Sequence, residues 1–481
     1  MLRGTLYLII ANGVFSVVGY IIHFWIGRHL GPAEYGIFGV VIYLMTTVNL
    51  FITSGFPQSA SKYIAEDYSR AGSIIRDANR IQFVFCIIIF GLYFGLSGVI
   101  ANLFDDPSLT SYIRISTLGI PAYAFFSVYS VGYLNGLRRF SWQALASIGS
   151  SITKLAVVFG SVLLGFGVGG ALVGYIIAAI VGFVLAWKFL NPLKKSKSNF
   201  GWKKLVGFGI PATIFAATFF LLMNIDLFVV KAIGGGEAET GYYASATTIS
   251  RVPHFLIAGL AMTLLPSISR STSLNNIELT KSYIQQSVRF MLMALIPGVL
   301  VVSATSADLL TLLYSSSYLE AAIPLSILVF GVALLTIFYV LSNIILGINK
   351  PWIVLSIVLL LAGVDIALSV FLISSYGLVG AAWATTITGL IGMSLVAGYI
   401  FTRFRTLICI KSLLRILFAS GVVYGTTYFI PSLPLWLPAI YIGLSLVYIG
   451  ILWVTKELTK DDLNTVMKLI PFEMFNSARQ N

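Results

Sequence analysis

Lys154 and Asp365 each lie near the middle of an apolar stretch of about 20 residues, the length of a membrane crossing. A charge at that depth is costly, so it faces a cavity or a partner. The two positions are 211 residues apart. Together they could form an ion pair that latches one state. Separately they could serve as a cation for an anionic substrate and a carboxylate that answers to a proton or ion. Each could also be satisfied by its own neighbours. Asp226, in Met223-Asn224-Ile225-Asp226, and Arg251 fall on what read as adjacent spans and could pair; otherwise Arg251 could meet an anionic ligand. Arg28 closes the first span, either as an interface anchor or as an anion contact. The guanidinium fork suits phosphate. Arg28, Lys154 and Arg251 therefore point to a phosphate-bearing headgroup in a cleft, and Asp226 and Asp365 to coupling or latching.

No catalytic constellation accompanies these charges. Gly165-x-Gly167-x-x-Gly170 matches a dinucleotide pattern in form alone, because no strand precedes it and no acid follows at the right distance. There is no Walker A stretch, no H-E-x-x-H and no C-x-x-C. His23, His29 and His254 form no ligand cluster, and Cys86 and Cys409 give no disulfide framework. Asp105-Asp106 alone is thin ground for a membrane glycosyltransferase. We expect no enzyme, no cofactor and no metal site.

The elements that must position these residues follow from composition. Of 481 residues, 58% are hydrophobic and only 10% charged, which excludes both a soluble globule and a disordered chain. The fold class is all-α and polytopic. An apolar window gives fourteen spans: 5–26, 35–56, 81–103, 112–135, 142–165, 168–189, 205–230, 242–265, 287–312, 321–346, 352–374, 377–401, 411–430 and 435–455. Charge tests the count. With the N-terminus inside, 24 of the 30 Lys and Arg fall in inside loops and two, Arg28 and Lys231, outside. A missed span would invert every later loop, so both termini are expected in the cytoplasm. The net charge of +13 then reflects this bias and anionic lipid, with no nucleic-acid partner. Prolines 121, 211, 253, 297 and 324 fall within spans and would permit kinks.

The halves repeat. Leu134-Asn135-Gly136-Leu137-Arg138-Arg139 and Ile345-Leu346-Gly347-Ile348-Asn349-Lys350 align at offset 211. Gly167-Val168-Gly169-Gly170-Ala171 and Gly377-Leu378-Val379-Gly380-Ala381 align at 210, and Gly31–Gly36 with Gly236–Gly241 at 205. Lys154 and Asp365 share the offset. The organisation read from this is an N-terminal six-helix lobe (1–193), a basic linker (194–204), a second six-helix lobe (205–402), two extra helices (403–456) and a tail (457–481). An even number of spans gives both lobes one orientation, related by a pseudo-two-fold axis along the membrane normal.

The stretch Gly27-Arg28-His29-Leu30-Gly31-Pro32-Ala33-Glu34-Tyr35-Gly36-Ile37-Phe38 resembles the opening signature of the polysaccharide (O-antigen type) flippases, within the multidrug/oligosaccharidyl-lipid/polysaccharide exporter superfamily. Leu346-Gly347-Ile348-Asn349-Lys350, Leu313–Tyr318 and Gly377–Ala382 are similar too, so the resemblance runs the length of the chain. It implies a plasma-membrane flippase. Such a protein carries an oligosaccharide on a polyprenyl phosphate from the cytoplasmic to the outer leaflet by alternating access. The implied partners are that lipid, membrane lipids, and glycosyltransferases or a polymerase of the same pathway. Arg28 matches the signature, and Lys154 and Arg251 are carried over as phosphate contacts. The alternative is a cation-coupled exporter of drugs or metabolites with the same fold. Its relatives use acids in the N-terminal lobe, and here the first span offers only Asn12.

Overall fold

The computed structural model describes residues 2–190, 201–234, 236–427, 429, 434–459 and 462. Most of the expected basic linker and nearly all of the tail lie outside these residues. Among the described residues every regular element is a helix. The helices are α1 (Leu2–Thr53), α2 (Gly55–Glu66), α3 (Ala71–Gly95), α4 (Ser97–Leu103), α5 (Leu109–Thr117), α6 (Gly119–Ser127), α7 (Phe140–Leu163), α8 (Gly167–Phe189), α9 (Trp202–Leu222), α10 (Ile225–Ile233), α11 (Glu237–Ser250), α12 (Val252–Ser273), α13 (Ile277–Ala304), α14 (Ser306–Leu313), α15 (Ala322–Gly347), α16 (Pro351–Phe404), α17 (Ile410–Thr427) and α18 (Leu437–Val454). A π-turn segment, Val128–Leu134, continues α6.

Two helices are too long for one crossing. The 52 residues of α1 would span about 78 Å, against a hydrocarbon core of about 30 Å. Gly31, at φ 77° and ψ 176°, breaks it. His23 Nδ1 lies 3.0 Å from the Tyr35 hydroxyl; a continuous helix would hold those residues about 18 Å apart. The chain therefore doubles back at Gly31. The 54-residue α16 breaks likewise at Gly377 (φ 56°), and Gly380 then packs on the Leu372 carbonyl. Among the described residues nine helices are long and apolar enough to cross a membrane. A pair bent by 49°, Ala216–Leu222 with Ile225–Ile233, makes a tenth. Counting the two broken helices twice brings these to twelve, and the two remaining expected spans, 242–265 and 411–430, fall on α11 with α12 and on α17.

The chain divides into two compact units. The first is Met1–Thr248 with Leu313–Pro324 and Leu355–Thr385; the second is Ile249–Leu312 with Leu325–Val354 and Thr386–Asn481. This partition by contact differs from the partition by repeat. Within the first unit the turns sort by parity. Tyr318 donates to the Gly27 carbonyl at 2.7 Å, Tyr35 and Tyr314 hydroxyls meet at 2.8 Å, and Lys231 reaches Asp106 at 2.7 Å. These contacts join turns that follow odd-numbered crossings. Ser59 donates to the Leu205 carbonyl and Ser61 to Asn135, both at 3.1 Å, joining turns that follow even-numbered crossings. The second unit keeps the rule. Gln285 bonds Thr406, and Arg289 bonds Glu457 and Asp462.

The repeated motifs share backbone geometry. Arg138 and Asn349 both adopt the left-handed conformation, at φ 54° and 59°. Each sits in the same helix-ending turn: Arg139 N donates to Leu134 O, and Lys350 N to Ile345 O. Gly167 and Gly377 follow suit at φ 51° and 56°. The expected proline kinks vary. Breaks precede Pro121 and Pro253, at Leu118 and Arg251, whereas α13 runs on through Pro297.

Candidate functional site

Lys154 stands on α7, which packs along the first half of α1 and on α8. Its residue is 6% exposed. The ammonium lies 4.5 Å from the Phe15 ring centroid and 4.9 Å from that of Tyr175. Among the described residues no carboxylate reaches it within ion-pair distance. The Lys154–Asp365 latch is therefore not made in this structure. A cation steadied by two ring faces keeps its charge available to an anion.

Asp365 belongs to a different group. The span containing α9 and α10 is broken at Met223-Asn224, which leaves Asp226 in the first turn of α10. A helix N-terminus favours a carboxylate there. Asp226 Oδ2 accepts from the Tyr243 hydroxyl at 2.7 Å and from Thr385 Oγ1 at 3.0 Å, and Oδ1 accepts from the Leu227 amide at 2.8 Å. Asp365 is buried and close enough to Tyr243 to act on it electrostatically together with Asp226. The Asp226 carboxylate with the Tyr243 and Thr385 hydroxyls, beside a broken helix, forms a hard oxygen set suited to a proton or a small cation. Among the described residues no group of three or more His, Cys, Asp or Glu is placed to hold a metal.

Arg28 is exposed, one turn before the Gly31 break. It stands thirteen residues beyond Phe15 on the same helix, about 20 Å along the axis from the level of Lys154. One phosphate could not touch both. Arg251 lies in the second unit, buried at the joint between α11 and α12. One turn on, His254 Nδ1 is 3.0 Å from Thr336 Oγ1.

Two features escaped the sequence reading. The first is a buried hydroxyl network. Tyr35 contacts His23, Tyr314 and Thr248, the last at 3.1 Å, and Thr248 contacts Tyr43 at 3.4 Å. The second is the Lys231–Asp106 pair. Lys231, expected in a loop after the seventh span, lies in the last turn of α10 and is buried. Burial pushes the Asp106 carboxyl up, but the Lys231 ammonium and the Ser108 hydroxyl and amide outweigh it. They hold Asp106 below the usual carboxylate range. A sequence signal existed for the pair, since both residues sit at turns assigned to one side.

Residues 1–272 match the model of the polysaccharide biosynthesis protein family. The chain belongs to that family. Among similar proteins is an uncharacterised membrane protein of Methanocaldococcus jannaschii, 24% identical over 81% of this chain and 95% of its own length. Another is a probable low-salt glycan biosynthesis flippase of Haloferax volcanii, 22% identical over 98% of this chain and 99% of its own. Among solved structures, the lipid II flippase MurJ in an inward closed conformation superimposes with a TM-score of 0.77 at 18% identity, covering 93% of this chain and 98% of that one. That likeness establishes the fold. Family membership makes the chain a multi-pass membrane protein of the flippase and transporter kind, tied to polysaccharide biosynthesis.

Proposed function

We propose that this protein is a flippase for a lipid-linked oligosaccharide. It carries a glycan on a polyprenyl phosphate from the cytoplasmic to the outer leaflet of the plasma membrane by alternating access. The observation that carries the reading is Lys154, a buried cation between two aromatic faces with no acid at ion-pair distance among the described residues. The phosphate meets Lys154 first. Arg28, farther toward the Gly31 turn, is a second station on the way out, and Arg251 is a third contact. The sugar head crosses through the protein while the polyprenyl tail stays in lipid. The repeated halves, 1–193 and 205–402, are the two lobes that rock. Asp226, bonded to Tyr243 and Thr385, and the buried Asp365 bind the coupling cation or proton. The termini face the cytoplasm, where glycosyltransferases of the pathway supply the substrate. The sidedness rests on the Lys and Arg tally, and the parity of the turn contacts supports the alternation of the crossings.

The test is a flipping assay in proteoliposomes with a fluorescent polyprenyl-diphosphate oligosaccharide. Lys154→Ala should slow translocation about tenfold or more, the effect of losing one charge-assisted contact. Lys154→Arg should keep most of it. Full activity in Lys154→Ala would remove this residue from the mechanism. Transport of cationic drugs, with no glycolipid movement, would replace the reading with the exporter alternative.

A further inference from the structure

A groove of about 480 Å³ opens on the first unit, with neither Lys154 nor the Asp226 cluster in its lining. Asn79, Arg80, Phe83, Phe125, Tyr129 and Phe183 line it. Its volume is that of an ordinary ligand site, about 300–1,000 Å³. The walls are aromatic, with their rings packed on one another. Phe183 stands 5.8 Å from Phe125 and 5.2 Å from Tyr129 between ring centroids. Asn79 ties the polar end in place, because Tyr133 donates to its Oδ1 at 2.7 Å. Tyr129 lies in the π-turn segment Val128–Leu134, and π-turns often mark functional positions.

The order of residues along α3 identifies the occupant. Arg76, Arg80 and Phe83 are spaced i, i+4 and i+7, so they share a helix face. Beyond them Val84, Ile87 and Ile88 are all about half exposed, as on a surface that faces lipid. Reading from the end of α3 that the charge tally places in the cytoplasm, the face runs from cations to rings to aliphatic side chains. A phospholipid presents the same order, from phosphate to acyl chain. Arg80 is exposed, and among the described residues no carboxylate lies within ion-pair distance of it. An arginine with its fork open at the mouth of an apolar groove selects a lipid with net negative charge over a zwitterionic one.

We propose that this groove is a binding site for one anionic glycerophospholipid of the cytoplasmic leaflet. Arg80 takes the phosphate, and one acyl chain lies against Phe83, Phe125, Tyr129 and Phe183. The site does not depend on the transport reading.

The experiment places the full chain in phosphatidylcholine nanodiscs doped with phosphatidylglycerol that carries a photoreactive group in one acyl chain. Cross-links should concentrate on peptides containing Phe83, Phe125 and Phe183. Arg80→Gln should lower their yield about tenfold without moving the melting midpoint, since Arg80 is exposed. Phe183→Ala should lower it through the chain-binding wall with Arg80 intact. The matching phosphatidylcholine probe should label weakly. Equal labelling by both probes, or by wild type and Arg80→Gln, overturns the proposal. So does displacement of the phosphatidylglycerol probe by equimolar polyprenyl phosphate, which would assign the groove to the carrier lipid.

Discussion

Gly36 and Gly241, 205 residues apart, pack helix to helix in a reciprocal contact. A side chain on Gly36 would enter the Glu237 carbonyl, and one on Gly241 would enter the Pro32 carbonyl. Pro32 and Glu237 are also 205 residues apart. Each glycine therefore meets the counterpart of what the other meets, as a local two-fold axis requires. Small residues at such a crossing let two backbones approach, which is how helices associate without a hydrophobic drive.

Gly36→Ala and Gly241→Ala should each destabilise this packing by about 1–3 kcal/mol, the usual cost of overfilling a tight contact. The obstacle is backbone at both positions, so rotamer changes give no relief. Thermal unfolding in detergent should show lowered midpoints, with a double variant milder than the sum. Unchanged midpoints in both single variants would contradict the contact.

Asp106 and Lys231 form a pair whose side chains are 11% and 5% exposed, 2.7 Å apart. Lys231→Gln should cost about 3 kcal/mol, the lower end for removing one partner of a buried pair. The pH dependence has a definite sign. The folded Asp106 carboxyl titrates below its unfolded value of about 3.9. Its contribution is therefore full above that value and fades as pH falls through the lower, folded one. Asp106→Asn should flatten the acid limb of a stability–pH curve. An acid limb that matches wild type would sink this assignment.

Asp226, Thr385 and Asp365 should make stability depend on the coupling ion. A cation bound only by the folded protein raises stability, by about 2.7 kcal/mol at a hundredfold excess over its dissociation constant. Titrating sodium against the melting midpoint, at fixed ionic strength and at several pH values, separates cation from proton. Asp365→Asn and Thr385→Val should each abolish the shift. A wild-type midpoint indifferent to both ions removes the coupling role.

Much of this was legible in the sequence because a bilayer allows so few solutions. Apolar length dictates helices, and Lys and Arg placement dictates their alternation; the turn contacts keep that parity without exception among those described here. Isolated charges such as Lys154, Asp226, Arg251 and Asp365 stand out for the same reason, since polar groups are rare at that depth. Their partners do not stand out. Thr385 reaches Asp226 across 159 residues of chain, and Phe15 reaches Lys154 from a different helix. Phenylalanine and threonine are unremarkable in an apolar run until packing sets them against a charge.

Lys231 shows the limit in a single residue. Its position near a turn grouped it with the other odd-numbered turns, and nothing local disclosed its burial against Asp106. Solvent and lipid act on each residue alone, so composition and spacing alone determined the class, the helices, their alternation and the repeat. Which charge is paired, which is held by rings and which groove stays open depends on helices distant in sequence meeting at specific heights. Only the tertiary structure decided those, because packing at contact distance is a property of pairs.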